Sequence, residues 1–71
     1  MARARLKVMG MTCGHCVAAV TRALENVAGV SEAQVDLQAG RAVVDYDEGK
    51  TTTRQLVGAV MDEGYTAEEA S

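Results

Sequence analysis

The 71-residue chain has no proline, no tryptophan and no phenylalanine, and its aromatic side chains are two tyrosines. Without proline it cannot build the cis-prolyl loop that faces the redox pair of a thioredoxin-like oxidoreductase, and it is shorter than such a domain. Without phenylalanine or tryptophan its core must come from valine, leucine, alanine and methionine. Such a core suits a thin two-layer fold, not a deep substrate cleft of several hundred cubic ångströms, so no enzyme is expected. Positive charge is scarce: seven Lys and Arg stand against ten Asp and Glu, a net charge of -3. Arg3, Arg5 and Lys7 alternate along one segment, as on the wet side of a strand. A nucleic-acid partner lacks its electrostatic footprint. No apolar run approaches the ~18 residues needed to cross a bilayer. The charged first residues are not followed by the apolar stretch of a signal peptide. The expectation is one domain, residues 1–71, in the cytoplasm, without membrane insertion. Cysteine is nearly absent too. The two present, Cys13 and Cys16, are three apart, a spacing that in a reducing compartment points to metal or redox work and not to a structural bridge.

The periodicity divides the chain into six elements. Residues 4–9 alternate, with Leu6 and Val8 on one side, and predict a half-buried strand. A loop with two glycines, Gly10 to Cys16, follows. Val17, Val20, Leu24 and Val27 recur at helical spacing, which predicts a helix over about 16–27 with Gly29 as its left-handed stop. Strands are expected over 30–37, with Ala33, Val35 and Leu37 on one face, and over 41–46, with Ala42, Val44 and Tyr46 inward; Val43 breaks the alternation. Residues 38–40 form the hairpin turn. Thr52 and Gln55 have the spacing of a capping box. Leu56, Val57, Val60 and Met61 form the stripe of a second helix ended by Gly64, and residues 65–68 a short last strand. Met9 and Met61 read as core or edge residues. Asp62, Glu63, Glu68 and Glu69 read as a solvated acidic surface, with steering of a basic partner as the alternative.

The order βαββαβ, with two right-handed split units, implies an α+β ferredoxin-like sandwich: a four-stranded antiparallel sheet with both helices on one face. In that topology the cysteine loop, the turn 38–40 and the segment 63–65 meet at one end. A Cys-x-x-Cys at a helix start sits where unpaired N–H groups and the helix dipole favour negative charge, so thiolate forms readily. Two soft thiolates suit two-coordinate Cu(I), Hg(II) or Ag(I), whereas a structural zinc normally takes four ligands.

The stretch Gly10-Met11-Thr12-Cys13-Gly14-His15-Cys16, after a strand and opening a helix, resembles the heavy-metal-associated domain family. Within it the likeness is to small bacterial copper chaperones of the CopZ type and to the N-terminal metal-binding domains of copper-transporting P-type ATPases. The resemblance covers nearly the whole chain, including Gly64-Tyr65, and departs from the family pattern in the absence of phenylalanine and the thin last strand. It implies Cu(I) held by Cys13 and Cys16 and passed by ligand exchange to a partner: a copper-transporting P-type ATPase or another Cys-x-x-Cys domain. It further implies that Met11 supports the loop from the core and that Tyr65 stands beside it, as in bacterial members. Thr12 occupies a place where zinc and cadmium relatives often carry an acid. His15 is a residue that tunes the thiolates or a third donor when two molecules share copper. A monomer is expected without metal, with a copper-bridged dimer left open. The start at Met1 and the end soon after the last strand favour a free-standing chaperone over an excised ATPase domain. A mercury- or zinc-binding relative is a further alternative.

Overall fold

A computed structural model describes residues 2–11 and 14–70. Its elements are β1 (Ala2–Met9), α1 (Gly14–Glu25), β2 (Val30–Asp36), β3 (Arg41–Tyr46), α2 (Thr53–Asp62) and β4 (Thr66–Glu69). The strands form one antiparallel sheet in the order β2-β3-β1-β4, with α1 packed on β2 and α2 on β4. The expected ferredoxin-like architecture is present.

Strand register explains which side chains enter the core. Ala4 lies opposite Val44, and Leu6 opposite Ala42; Val8 lies opposite Ala67; Ala33 and Val35 continue the same rows on β2. Small residues alternate with larger ones across the rows, which lets two helices approach closely. Val20 and Leu24 of α1 and Leu56 and Val60 of α2 complete the packed layer, all fully buried. Tyr46 and Tyr65 pack against its margins. The core is thus aliphatic throughout, as the composition requires. No helix among the described residues is long and apolar enough to cross a membrane.

Several local expectations are corrected. The first helix starts at Gly14, two residues early, and ends at Glu25; the residues up to Val27 continue it as a turn, with Val27 N–H donating to the Leu24 carbonyl at 3.1 Å. β2 stops at Asp36, leaving Leu37 in the turn and 38% exposed. The capping box is half formed. Thr52 Oγ1 accepts from the Gln55 N–H at 3.4 Å, but the Gln55 side chain turns to the buried Thr51, whose hydroxyl donates to Oε1 at 2.6 Å. Met9 and Met61 are 43% and 54% exposed and belong to no core: Met9 follows Val8 onto the outer sheet face opposite Thr66, and Met61 flanks the buried Leu56–Val60 stripe at the end of α2. Tyr65 precedes the last strand and is not its first residue.

The glycine at the α1–β2 connection is required by its surroundings. Gly29 has φ +96°, and a Cβ there would lie 2.8 Å from Cβ of Lys50. Gly58 is different. It sits inside α2, and a Cβ on it meets nothing within 4 Å. Gly58→Ala is therefore expected to stabilise the chain by about 0.5–1 kcal/mol, through lost unfolded-state entropy. Urea unfolding should show a raised midpoint at constant slope.

Candidate functional site

The cysteine motif is built at the junction of β1 and α1. Cys13 and Thr12 lie outside the described residues. Cys16 is the third residue of α1 and is half-buried. It therefore sits in the first turn, among backbone N–H groups that have no intrahelical acceptor. That turn carries no acidic side chain, so nothing covalently attached there neutralises the positive end of the helix. The one formal charge the turn can acquire, besides that of His15, is a thiolate. His15 itself is exposed.

Neighbouring loops assemble around this junction as the topology implies. The Val8 N–H, near the end of β1, donates to the Gly40 carbonyl of the hairpin turn at 2.8 Å. Gly10, with φ +96°, takes a backbone conformation that β-carbon sterics disfavour in other residues. Its Cβ position would be 3.5 Å from Cδ1 of Tyr65, so the tyrosine ring lies directly against the loop that leads into the motif. Tyr65 and Met11 are both half-buried and packed on the core. The contact between Gly10 and Tyr65 was not expected from the sequence beyond placing both at one end. A glycine ending an alternating strand was the available signal.

The four acidic residues expected to share a surface are dispersed. Asp62 and Glu63 lie at the end of α2 near the loop. Glu68 faces Lys7 on the outer side of the sheet. Glu69 accepts from the Thr53 hydroxyl at 3.2 Å, at the opposite end of α2. Only the first two are positioned near the motif.

The donor set is small. Among the described residues no group of three or more His, Cys, Asp or Glu is arranged to hold a metal ion. Two cysteines in a helix-opening Cys-x-x-Cys are soft donors of the kind that soft metal ions select.

Comparison with known proteins places this geometry. The heavy-metal-associated domain profile matches residues 5–66. Over 65 residues the chain is 45% identical to the copper chaperone CopZ of Staphylococcus aureus strain MRSA252, covering 92% of this chain and 96% of that one. In structure it is similar to a copper-binding domain of the P-type ATPase HMA7, with a TM-score of 0.99 and 35% identity over 100% of this chain and 96% of that one. It is likewise similar to the CopZ metallochaperone, with a TM-score of 0.91 and 42% identity over 94% of this chain and 100% of that one. With the fold, the motif position and these likenesses in agreement, the chain belongs to the heavy-metal-associated domain family.

Proposed function

We propose that this chain is a cytosolic copper carrier that binds Cu(I) between the thiolates of Cys13 and Cys16 and releases it to a partner by ligand exchange. The observation that carries the reading is the placement of Cys16 in the first turn of α1 with no acidic side chain in that turn. A helix start favours anions, and a thiolate is the soft anion available. Copper chaperones at 45% identity support copper as the cargo. A reducing compartment keeps both sulfurs available as ligands.

A two-coordinate ion leaves room for an incoming thiolate before an outgoing one departs. Transfer then needs no free ion. The receiving site is a second Cys-x-x-Cys, such as that of a copper-transporting P-type ATPase. Met11 and Tyr65 support the loop from the core side, and Thr12 and His15 flank the sulfurs in sequence. The carrier needs no substrate cleft and performs no bond chemistry beyond metal–sulfur exchange. Its thiolates would also take Ag(I) or Hg(II). The likeness to the HMA7 domain favours a second reading, a metal-binding domain of a copper ATPase, with the same site and the same ligands.

The test is an anaerobic Cu(I) titration of the reduced chain with Zn(II) competing, followed by X-ray absorption. The expected result is Cu(I) uptake undisturbed by zinc, with a sulfur-only shell. A shell dominated by nitrogen or oxygen, or displacement of copper by equimolar zinc, would overturn the reading.

A further inference from the structure

The turn that joins β2 to β3 reaches β1 just before the cysteine loop begins. On β1, Leu6 lies opposite Ala42 and Lys7 opposite Arg41, the first residue of β3. The next rung of that ladder therefore falls on the turn. There the Val8 N–H donates to the Gly40 carbonyl at 2.8 Å. A Cβ on Gly40, whose φ is +64°, would lie 3.3 Å from the Val8 carbonyl oxygen. Both backbone polar groups of Val8 thus face the turn, as expected where successive residues of an antiparallel strand turn to alternate neighbours. Met9 then lies opposite Thr66 of β4, and Gly10 leaves the strand with φ +96°. Val8 is the last residue of β1 held from the β3 side, and a carbonyl of the turn holds it.

The same turn faces the motif. Its residues Leu37 and Ala39 border one groove with Gly14 and Val17 of α1, and Gly14 stands between Cys13 and Cys16 in the chain. The turn therefore touches the strand that enters the cysteine loop and faces the helix that leaves it. Its own conformation is held by one side chain. Asp36 Oδ1 accepts from the Gln38 N–H at 3.0 Å and from the Ala39 N–H at 3.2 Å. Neither N–H belongs to a strand. Hydrogen bonds to a carboxylate are roughly twice as strong as neutral ones. Asp36 is exposed, so the core does not call for a side chain there.

We propose that Asp36 is a positioning residue for the metal loop. Its carboxylate fixes the turn 37–40, the turn carries the Gly40 carbonyl to Val8, and that anchor sets where β1 ends and the loop begins. The effect on the loop stands on this geometry alone. Its consequence for copper rests on the function proposed above.

The test compares the parental 71-residue chain with Asp36→Ala and Asp36→Asn, each reduced, metal-free and labelled with ¹⁵N. In Asp36→Ala the Val8 amide should exchange with solvent roughly fivefold faster or more, the scale of one lost hydrogen bond. The Leu6 amide, two residues back on the same strand, should keep its parental rate. Amide resonances of residues 10, 11 and 14–16 should shift. Asp36→Asn keeps the acceptor atom without its charge and should retain most of the Val8 protection. Competition against a Cu(I) chelator should show affinity lowered roughly three- to tenfold in Asp36→Ala, less than the ~10–100-fold of a residue bonded to a ligand, and largely restored in Asp36→Asn. Parental Val8 exchange in Asp36→Ala would overturn the proposal. So would equal acceleration at Leu6, which means general loosening of the sheet, or an unmoved loop. An Asp36→Asn variant that behaves as Asp36→Ala would assign the effect to charge and overturn it too, as would parental copper affinity in Asp36→Ala. Should the parental chain take up no Cu(I), the copper reading falls, and the exchange rates and loop resonances still decide whether Asp36 positions the loop.

Discussion

Cys16→Ser is expected to lower Cu(I) affinity by more than about a hundredfold, and Cys13→Ser to do the same. Removing a hydrogen-bonding partner of a metal ligand typically costs ~10–100-fold, and removing one of two ligands must cost more. Serine is nearly isosteric with cysteine but a hard, neutral donor, so it preserves the helix start while withdrawing the soft charge that Cu(I) selects. Cys16 lies half-buried in the first turn of α1, and the fully buried residues of that helix, Val20 and Leu24, are further along it. The variants should accordingly keep their far-ultraviolet circular dichroism while losing competition against a Cu(I) chelator. His15→Ala is the internal control. His15 is exposed, and its removal should change affinity by about 1 kcal/mol or less, the scale of an exposed charge pair. Parental affinity in either serine variant would eliminate the dithiol reading. Complete loss in the histidine variant would make His15 a ligand in its own right.

The second large effect concerns the fold that holds the site. Leu6→Ala should destabilise the chain by about 3 kcal/mol, within the ~2–5 kcal/mol range for buried leucine truncation. Leu6 is fully buried on β1, a central strand, opposite Ala42. Ala42, opposite it on β3, is too short to fill the cavity. A chain of this size holds only about 4–11 kcal/mol in total, so the loss is a large share of its stability. Thermal unfolding of the reduced, metal-free protein should fall by roughly 12–24 °C, at ~4–8 °C per kcal/mol for domains of this length. Met61→Ala provides the contrast. That side chain is 54% exposed, and its truncation should stay within about 0.5 kcal/mol. Equal effects from the two variants would mean that the core is not where the register puts it.

Those two methionine and leucine positions show what local pattern can and cannot specify. Leu6 was legible because strand alternation assigns it to the same side as Val8, and an inward face of a sheet is buried along its whole length. Met61 was misread because it lies on the flank of the helical stripe: Leu56 and Val60 are fully buried, while Val57, one turn before Met61, is only half-buried. An apolar residue at the margin of a stripe fits the helical period, and the period does not mark how wide the covered face is. Gln55 shows the same limit at shorter range. Its spacing from Thr52 suited a reciprocal cap, yet the buried Thr51 hydroxyl donates to its side-chain oxygen. Leaving that hydroxyl unsatisfied in the interior would cost more than leaving the exposed cap to water.

The candidate site divides along the same line. The helix start, the Cys-x-x-Cys spacing and the softness of sulfur are properties of a few adjacent residues, so the chain order alone carries the ligand type and the class of ion proposed above. Chain order and handedness also determined that three loops share one end, because a split βαβ unit has one sterically favoured hand. The tertiary structure decided the rest: that the Tyr65 ring rests on Gly10, that the four acidic residues separate onto different surfaces, and that β2 stands at one margin of the sheet among the described residues. These depend on distances between residues far apart in the chain. Such distances arise only when the sheet register and the helix packing are formed together, and no local pattern of side chains contains them.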